Sequence, residues 1–191
     1  IFAQLGLKES NTFGRAWKTD LNMNFGDYST TYNFSLYDPW IKGDKYRTAL
    51  KTNIFLSRDY PQEFKGDNNN LYAVNDQNSN SQDTFSSVVL ENVGGGFTFL
   101  RPLNGGDPFK DNPWRISAGM NFKKVSMIDS SGNKKSYATK HPTTETNLSE
   151  IICIGYTPND GSCPSENTLI SVVAGGVYNK LNNNVNPSSG T

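Results

Sequence analysis

The stretch WKTDLNMNF puts Trp17, Thr19, Leu21, Met23 and Phe25 at alternate positions, with Lys18, Asp20, Asn22 and Asn24 between them. Side chains of a strand point alternately to opposite faces, so this is a ribbon with one apolar and one polar side. The same period recurs in WRISAGMNFKK, where Trp114, Ile116, Ala118, Met120 and Phe122 oppose Arg115, Ser117, Gly119, Asn121 and Lys123. TTYNFSLY sets Tyr32, Phe34 and Leu36 against Thr31, Asn33 and Ser35. RTALKTNIFLS sets Thr48, Leu50, Thr52, Ile54 and Leu56 against Arg47, Ala49, Lys51, Asn53 and Ser57, with Phe55 out of pattern. FAQLGLKE supplies Ala3, Leu5 and Leu7 to one face. SSVVLENVGGGFTFL is thinned by Gly94–Gly96 but still pairs Phe97 with Phe99, and TLISVVAGGVYNKL reads as a last strand whose outward face the pattern does not assign. No segment shows a capped, helical apolar stripe.

Such ribbons need something against their apolar sides, either a second protein layer or lipid. The chain has 191 residues, enough for one domain, yet only 35% are hydrophobic. Lys plus Arg and Asp plus Glu both total 18, which gives no signal for nucleic acid or an anionic surface. No apolar run reaches the roughly 20 residues of a spanning helix, but a barrel strand needs only about 9–11 alternating ones. Connections alternate in length: SNTFGRA, DPWIKGDK and RPLNGGDPFKDNP are short, whereas Asp59–Thr84 and Asp129–Asn167 are long and polar. A transmembrane barrel has short periplasmic turns and longer external loops. Trp17, Trp40 and Trp114 stand beside the short turns, where an aromatic girdle would lie. The polar sides carry Lys18, Asp20, Lys51, Arg115 and Lys123, read as mid-strand. Pattern alone favours a membrane barrel and leaves a soluble two-sheet sandwich open.

Several pieces then match one family in order. NTFGRA resembles the turn after an early strand, SLYDPWI the strand-ending Asp/Asn-Pro-aromatic turn, and GGGFTFLRPL the glycine-aromatic strand before a periplasmic turn. GVYNKLNNNVNPSSGT resembles the strand and turn leading to the middle of the barrel. Together they resemble the bacterial surface antigen superfamily, whose members include BamA and the chloroplast Toc channel. The wording of DPWIKGD and YRTALKTNIFLSRD is most similar to the cyanobacterial and plastid branch.

The resemblance implies an all-β, antiparallel, up-and-down transmembrane barrel in an outer membrane of Gram-negative type. It implies about seven strands, two to eight of an expected sixteen, over residues 1–191. The start at Ile1-Phe2 and the finish at NPSSGT are read as cuts within a longer protein, so that POTRA domains and the second half of the barrel lie outside it. On this reading Trp17, Leu21, Met23, Phe25, Phe34, Leu36, Leu50, Ile54, Trp114, Ile116, Met120 and Phe122 face lipid. Lys18, Asp20, Asn22, Asn24, Lys51, Asn53, Arg115, Ser117, Asn121 and Lys123 face the lumen. The implied partners are the bilayer, unfolded outer-membrane or precursor polypeptides, and accessory assembly subunits reached through POTRA domains, with no nucleic acid.

Chemistry is sparse. Cys153 and Cys163 flank a polar Pro- and Gly-containing loop that a disulfide could close outside the cytoplasm; two unrelated thiols are the alternative. His141, the single histidine, lies in the polar stretch ATKHPTTE with no sign of a nucleophilic triad. GDNNN and NDQNSNSQD are oxygen-rich but lack the ordered carboxylates of a calcium loop. Gly94–Gly96 is not followed by the Lys-Ser/Thr of a phosphate loop. The expectation is a non-enzyme without cofactor or metal. Its leading function is the wall of an insertase or polypeptide translocase. The alternatives are a two-partner secretion transporter, a solute porin with Lys18, Lys51, Arg115 and Lys123 tuning anion passage, and a secreted sandwich that binds a partner.

Overall fold

A computed structural model describes residues 1–61, 72–74, 86–107, 113–139, 151–152 and 164–180. Seven long strands form one antiparallel sheet: β1 Phe2–Thr12, β2 Trp17–Gly26, β3 Ser29–Asp38, β4 Ala49–Asp59, β7 Val89–Pro102, β8 Trp114–Ile128 and β11 Glu166–Tyr178. Their order in space is their order in the chain, β1-β2-β3-β4-β7-β8-β11. The sheet is an open meander, edged by FAQLGLKE on one side and TLISVVAGGV on the other, the up-and-down order that the family resemblance implies.

Side chains set the turns. Between β1 and β2, the Asn11 Oδ1 accepts the Ala16 N–H at 2.8 Å, and Phe13, Gly14 and Ala16 take positive φ. After β3, Asp38 Oδ1 accepts the Trp40 N–H at 3.0 Å across Pro39, the Asx-type closure that gives Asp-Pro its turn propensity. Asp44 then organises the rest of this turn. Its carboxylate accepts the Thr48 N–H at 2.6 Å and the Tyr46 N–H at 3.3 Å, while its carbonyl accepts the Trp40 indole N–H at 2.6 Å. The next short turn packs against it: a Cβ on Gly106, which has φ +86°, would collide with the Lys45 carbonyl oxygen.

Parts of the two long excursions pair with each other. β5 Tyr72–Val74, β6 Ser86–Ser87, β9 Tyr137–Thr139 and β10 Ile151–Ile152 build a small sheet of order β10-β9-β5-β6. Reading these segments as polar loops misses that sheet, because strands of two or three residues carry no periodic signal. The tightest packing of the described residues lies beside it: Val88, Met127 and Ala138 bury completely or nearly so, with Leu90 against them. Leu90 and Met127 are direct cross-strand partners on the polar side of β7 and β8. The excursion segment that supplies Ala138 therefore packs onto the polar face, beyond the long-loop ends of the strands.

The apolar face of the large sheet has no such cover. Ile54 is 62% exposed and Phe122 44%, and Phe34, Phe97 and Ile116 are likewise open. Among the described residues nothing forms the second layer that a sandwich requires. Among the described residues no helix is long and apolar enough to cross a membrane, which leaves crossing by strands unaffected.

Candidate functional site: the two faces of the sheet

Register converts the separate ribbons into two continuous surfaces. One row runs Leu7, Leu21, Phe34, Ile54, Gly95, Phe122, Ile170 across all seven strands. The next runs Thr19, Leu36, Thr52, Phe97, Met120, Val172. Trp17, Met23, Phe25, Leu50, Ile116 and Trp114 share this face by alternation from those rows. The twelve apolar side chains named from sequence thus come together on one side of one sheet.

Charges bracket this apolar band. At the long-loop end, Arg58 pairs with Glu91 at 2.8 Å and Lys124 with Glu166 at 2.8 Å, and Lys134 also reaches Glu166. At the short-turn end lie Trp17, Trp114 and Arg101. Trp114 contacts Tyr178 with ring centroids 5.0 Å apart, and Arg101 sits 3.7 Å over the Tyr46 ring. Along β7, Glu91 and Arg101 are about 34 Å apart at ~3.4 Å per residue, or about 26 Å in height at a strand tilt near 40°. That is close to the ~25 Å apolar band of a transmembrane barrel flanked by aromatic girdles.

The opposite face is polar and uneven. Its central row is Lys8, Asp20, Ser35, Asn53, Gly96, Asn121, Ser171. Lys8 pairs with Asp20 at 3.1 Å, and the Asn22 amide donates to the same carboxylate. Asp59 gathers three more groups, the Ser29 hydroxyl at 2.6 Å, the Ser57 hydroxyl at 3.1 Å and the Asn92 amide at 3.2 Å. The ten polar residues named from sequence share this face. Their distribution corrects one expectation, since Lys18, Lys51 and Arg115 lie within the first three residues of β2, β4 and β8. They cluster toward the short turns, and Lys123 is the cation near mid-strand.

Phe55 also falls on this polar side, opposite Gly94. A Cβ on Gly94 would lie 2.7 Å from Phe55 Cζ and would collide with the Phe122 carbonyl oxygen. The missing side chain lets the ring lie against the sheet, the pairing by which an aromatic residue shields a strand glycine. Sequence reading saw both anomalies, the misplaced aromatic and the glycine run, but the register that explains each by the other was not visible to it.

Cys153, Cys163, His141 and the two oxygen-rich stretches lie outside the described residues. Outside the strands, Asp44 and Asp129 are perturbed carboxylates, and both serve to shape their turns. Hydrogen bonds from the Thr48 hydroxyl and N–H, then from Tyr46, hold Asp44 below the ordinary carboxylate value. Burial pushes Asp129 up, but the Asn133 backbone and side chain, the Ser131 N–H and Lys135 together bring it below the ordinary value.

A profile of the Omp85 superfamily domain matches residues 11–191. The chain belongs to the Omp85 superfamily. It is also 23% identical, over 133 residues, to the chloroplastic Outer envelope protein 80 of Arabidopsis thaliana, an alignment that covers 70% of this chain. The chain spans about 15% of the length of that relative. Superfamily and relative together point to an outer membrane, in keeping with the charge-bracketed apolar band.

Proposed function

We propose that this Omp85 chain is part of the wall of an outer-membrane barrel that inserts or translocates polypeptides. The observation carrying the reading is the superfamily match over a sheet with one continuous apolar face and one continuous polar face. On this reading the apolar set from Trp17 to Phe122 touches lipid, and the polar set from Lys18 to Lys123 lines the lumen. The wall performs no bond chemistry. It holds a polar conduit open and separates it from the hydrocarbon, where unpaired backbone groups cost several kcal/mol each. The seven strands are strands two to eight of a larger barrel, whose remaining strands pair with the β1 and β11 edges.

The family match favours polypeptide handling over a solute porin, and the uncovered apolar face disfavours the secreted sandwich. Insertase, translocase and two-partner exporter share this wall.

The test is in-cell photocrosslinking from single positions of the full-length protein. A crosslinker at Asn53 or Asn121 is expected to trap polypeptide in transit, and one at Ile54 to label lipid. Polypeptide adducts at Ile54 with none at Asn53 would reverse the two faces. Equal efflux of small solutes through wild type and a client-jammed protein would favour the porin.

A further inference from the structure

At the short-turn end of the apolar face a cleft of about 380 Å³ opens between the first two turns, lined by Arg15, Trp17, Asp38, Trp40, Lys42 and Gly43. Arg15 lies 5.3 Å over the Trp17 ring, and just outside the cleft Arg47 lies 4.9 Å over the Trp40 ring. Asp38, the carboxylate of the cleft, already accepts the Trp40 N–H at 3.0 Å. Among the described residues neither Arg15 nor Lys42 has an ion-pair partner.

We propose that this cleft binds the headgroup of an anionic glycerophospholipid, with Arg15 and Lys42 on the phosphodiester and an acyl chain descending past Trp17. The inference rests on the reading that the apolar face meets lipid. Two features select such a ligand. The cleft holds two cations against one engaged carboxylate, so it complements a headgroup of net negative charge and not a zwitterion. Beyond Trp17 the same face of β2 and β3 continues with the cross-strand pairs Thr19–Leu36 and Leu21–Phe34, mostly apolar side chains that match a hydrocarbon tail better than a soluble phosphate. Arginine stacked on an aromatic face keeps its N–H edge free to donate to phosphate oxygens, and indole rings prefer the headgroup level. Basic groups near an anionic leaflet each contribute attraction of a size that a double substitution makes measurable.

The experiment is native mass spectrometry of the full-length protein released from nanodiscs of phosphatidylglycerol and phosphatidylcholine. Wild type is expected to retain phosphatidylglycerol, and R15Q/K42Q to retain about ten-fold less. K18Q/K51Q, which removes two cations from the opposite face at the same end, is expected to match wild type. Heat-modifiable gel migration verifies that each variant is folded. Equal retention by all three proteins overturns the proposal. Binding of glycerol phosphate by detergent-purified protein, abolished by R15Q/K42Q while phosphatidylglycerol retention is not, would assign the cleft to a soluble anion and overturn it too. A crosslinker at Ile54 in the same nanodiscs separates the two levels. Lipid labelling at Ile54 with no Arg15/Lys42 dependence removes the cleft alone, whereas labelling at Asn53 in place of Ile54 removes the lipid-face reading beneath it.

Discussion

The two faces of the large sheet obey different rules. The apolar face is uniform: side chains of different shapes, such as Phe34, Ile54 and Phe122, stand open to their surroundings and make few demands on one another. The polar face is specific, with Phe55 seated on Gly94, three residues sharing Asp59, and the excursion segment around Ala138 packed on Leu90 and Met127. On the proposed reading, the contrast teaches that a surface solvated by lipid needs only hydrophobicity, whereas the polar surface that lines the lumen is where shape matters. Lipid adapts to any apolar relief. Packed side chains do not.

The largest expected effect breaks the comparison outright if it fails. Leu21→Arg or Phe122→Arg puts a charge into the apolar band and should cost roughly 2–4 kcal/mol near the bilayer midplane. Asn22→Arg and Asn121→Arg, one residue away on the polar face, should cost less than about 1 kcal/mol, as judged by urea unfolding of the full-length protein in bilayers. Equal losses would leave no distinction between the faces.

Met127 is 2% exposed in the small packed cluster. Met127→Ala should cost about 2–3 kcal/mol through the cavity it leaves. If the excursions pack independently of the band, the loss will show as faster protease cleavage within Asp59–Thr84 and Asp129–Asn167, with heat-modifiable migration unchanged. Protease added to intact cells should cut those same segments and spare DPWIKGDK; cleavage at Lys42 or Lys45 would invert the topology.

A glycine pair sharpens the contrast further. Gly94→Ala must displace Phe55 or the β7–β8 register, at about 1–3 kcal/mol by the usual cost of overpacking. Gly176→Ala, on the apolar face of β11, would meet nothing nearer than the Arg115 carbonyl oxygen at 3.9 Å. It should change stability by less than about 0.5 kcal/mol in the same unfolding assay.

The smallest effect is on pH. Asp44 and Asp129 both have folded pKa values below the ordinary 3.8. A carboxylate lowered by folding contributes stability that is fully present above its unfolded value and is lost as pH falls through the folded one. Amide exchange at Thr48 and Asn133 should therefore be flat from neutral pH down to about 4 and accelerate only below it, once the intrinsic pH dependence is removed. Asp44→Asn and Asp129→Asn should abolish that acid step. Persistence of the step in both variants would show that other groups hold these turns.

The seven long strands, the two side-chain sets and the turn after Asp38 were legible in the linear chain. They depend on neighbours one to four residues apart: alternation along a strand, and an Asx closure across Pro39. The identity of each face was legible for β2, β3, β4 and β8, whose two sides differ in polarity. It was not legible for β11, where Leu169, Val173 and Val177 lie on one side and Ile170 and Val172 on the other. Only pairing with β8, which sets Ile170 opposite Phe122 and Val172 opposite Met120, assigns those sides. The same limit applies to Phe55 and Gly94, 39 positions apart in the chain, and to the pairing of β5 with β9. Register is a property of two strands at once, and a one-residue slip would move every side chain of β11 to the other face. Tertiary structure therefore decided which residues meet across the wall, where the excursions pack, and how Arg15, Trp17, Trp40 and Lys42 converge on one cleft.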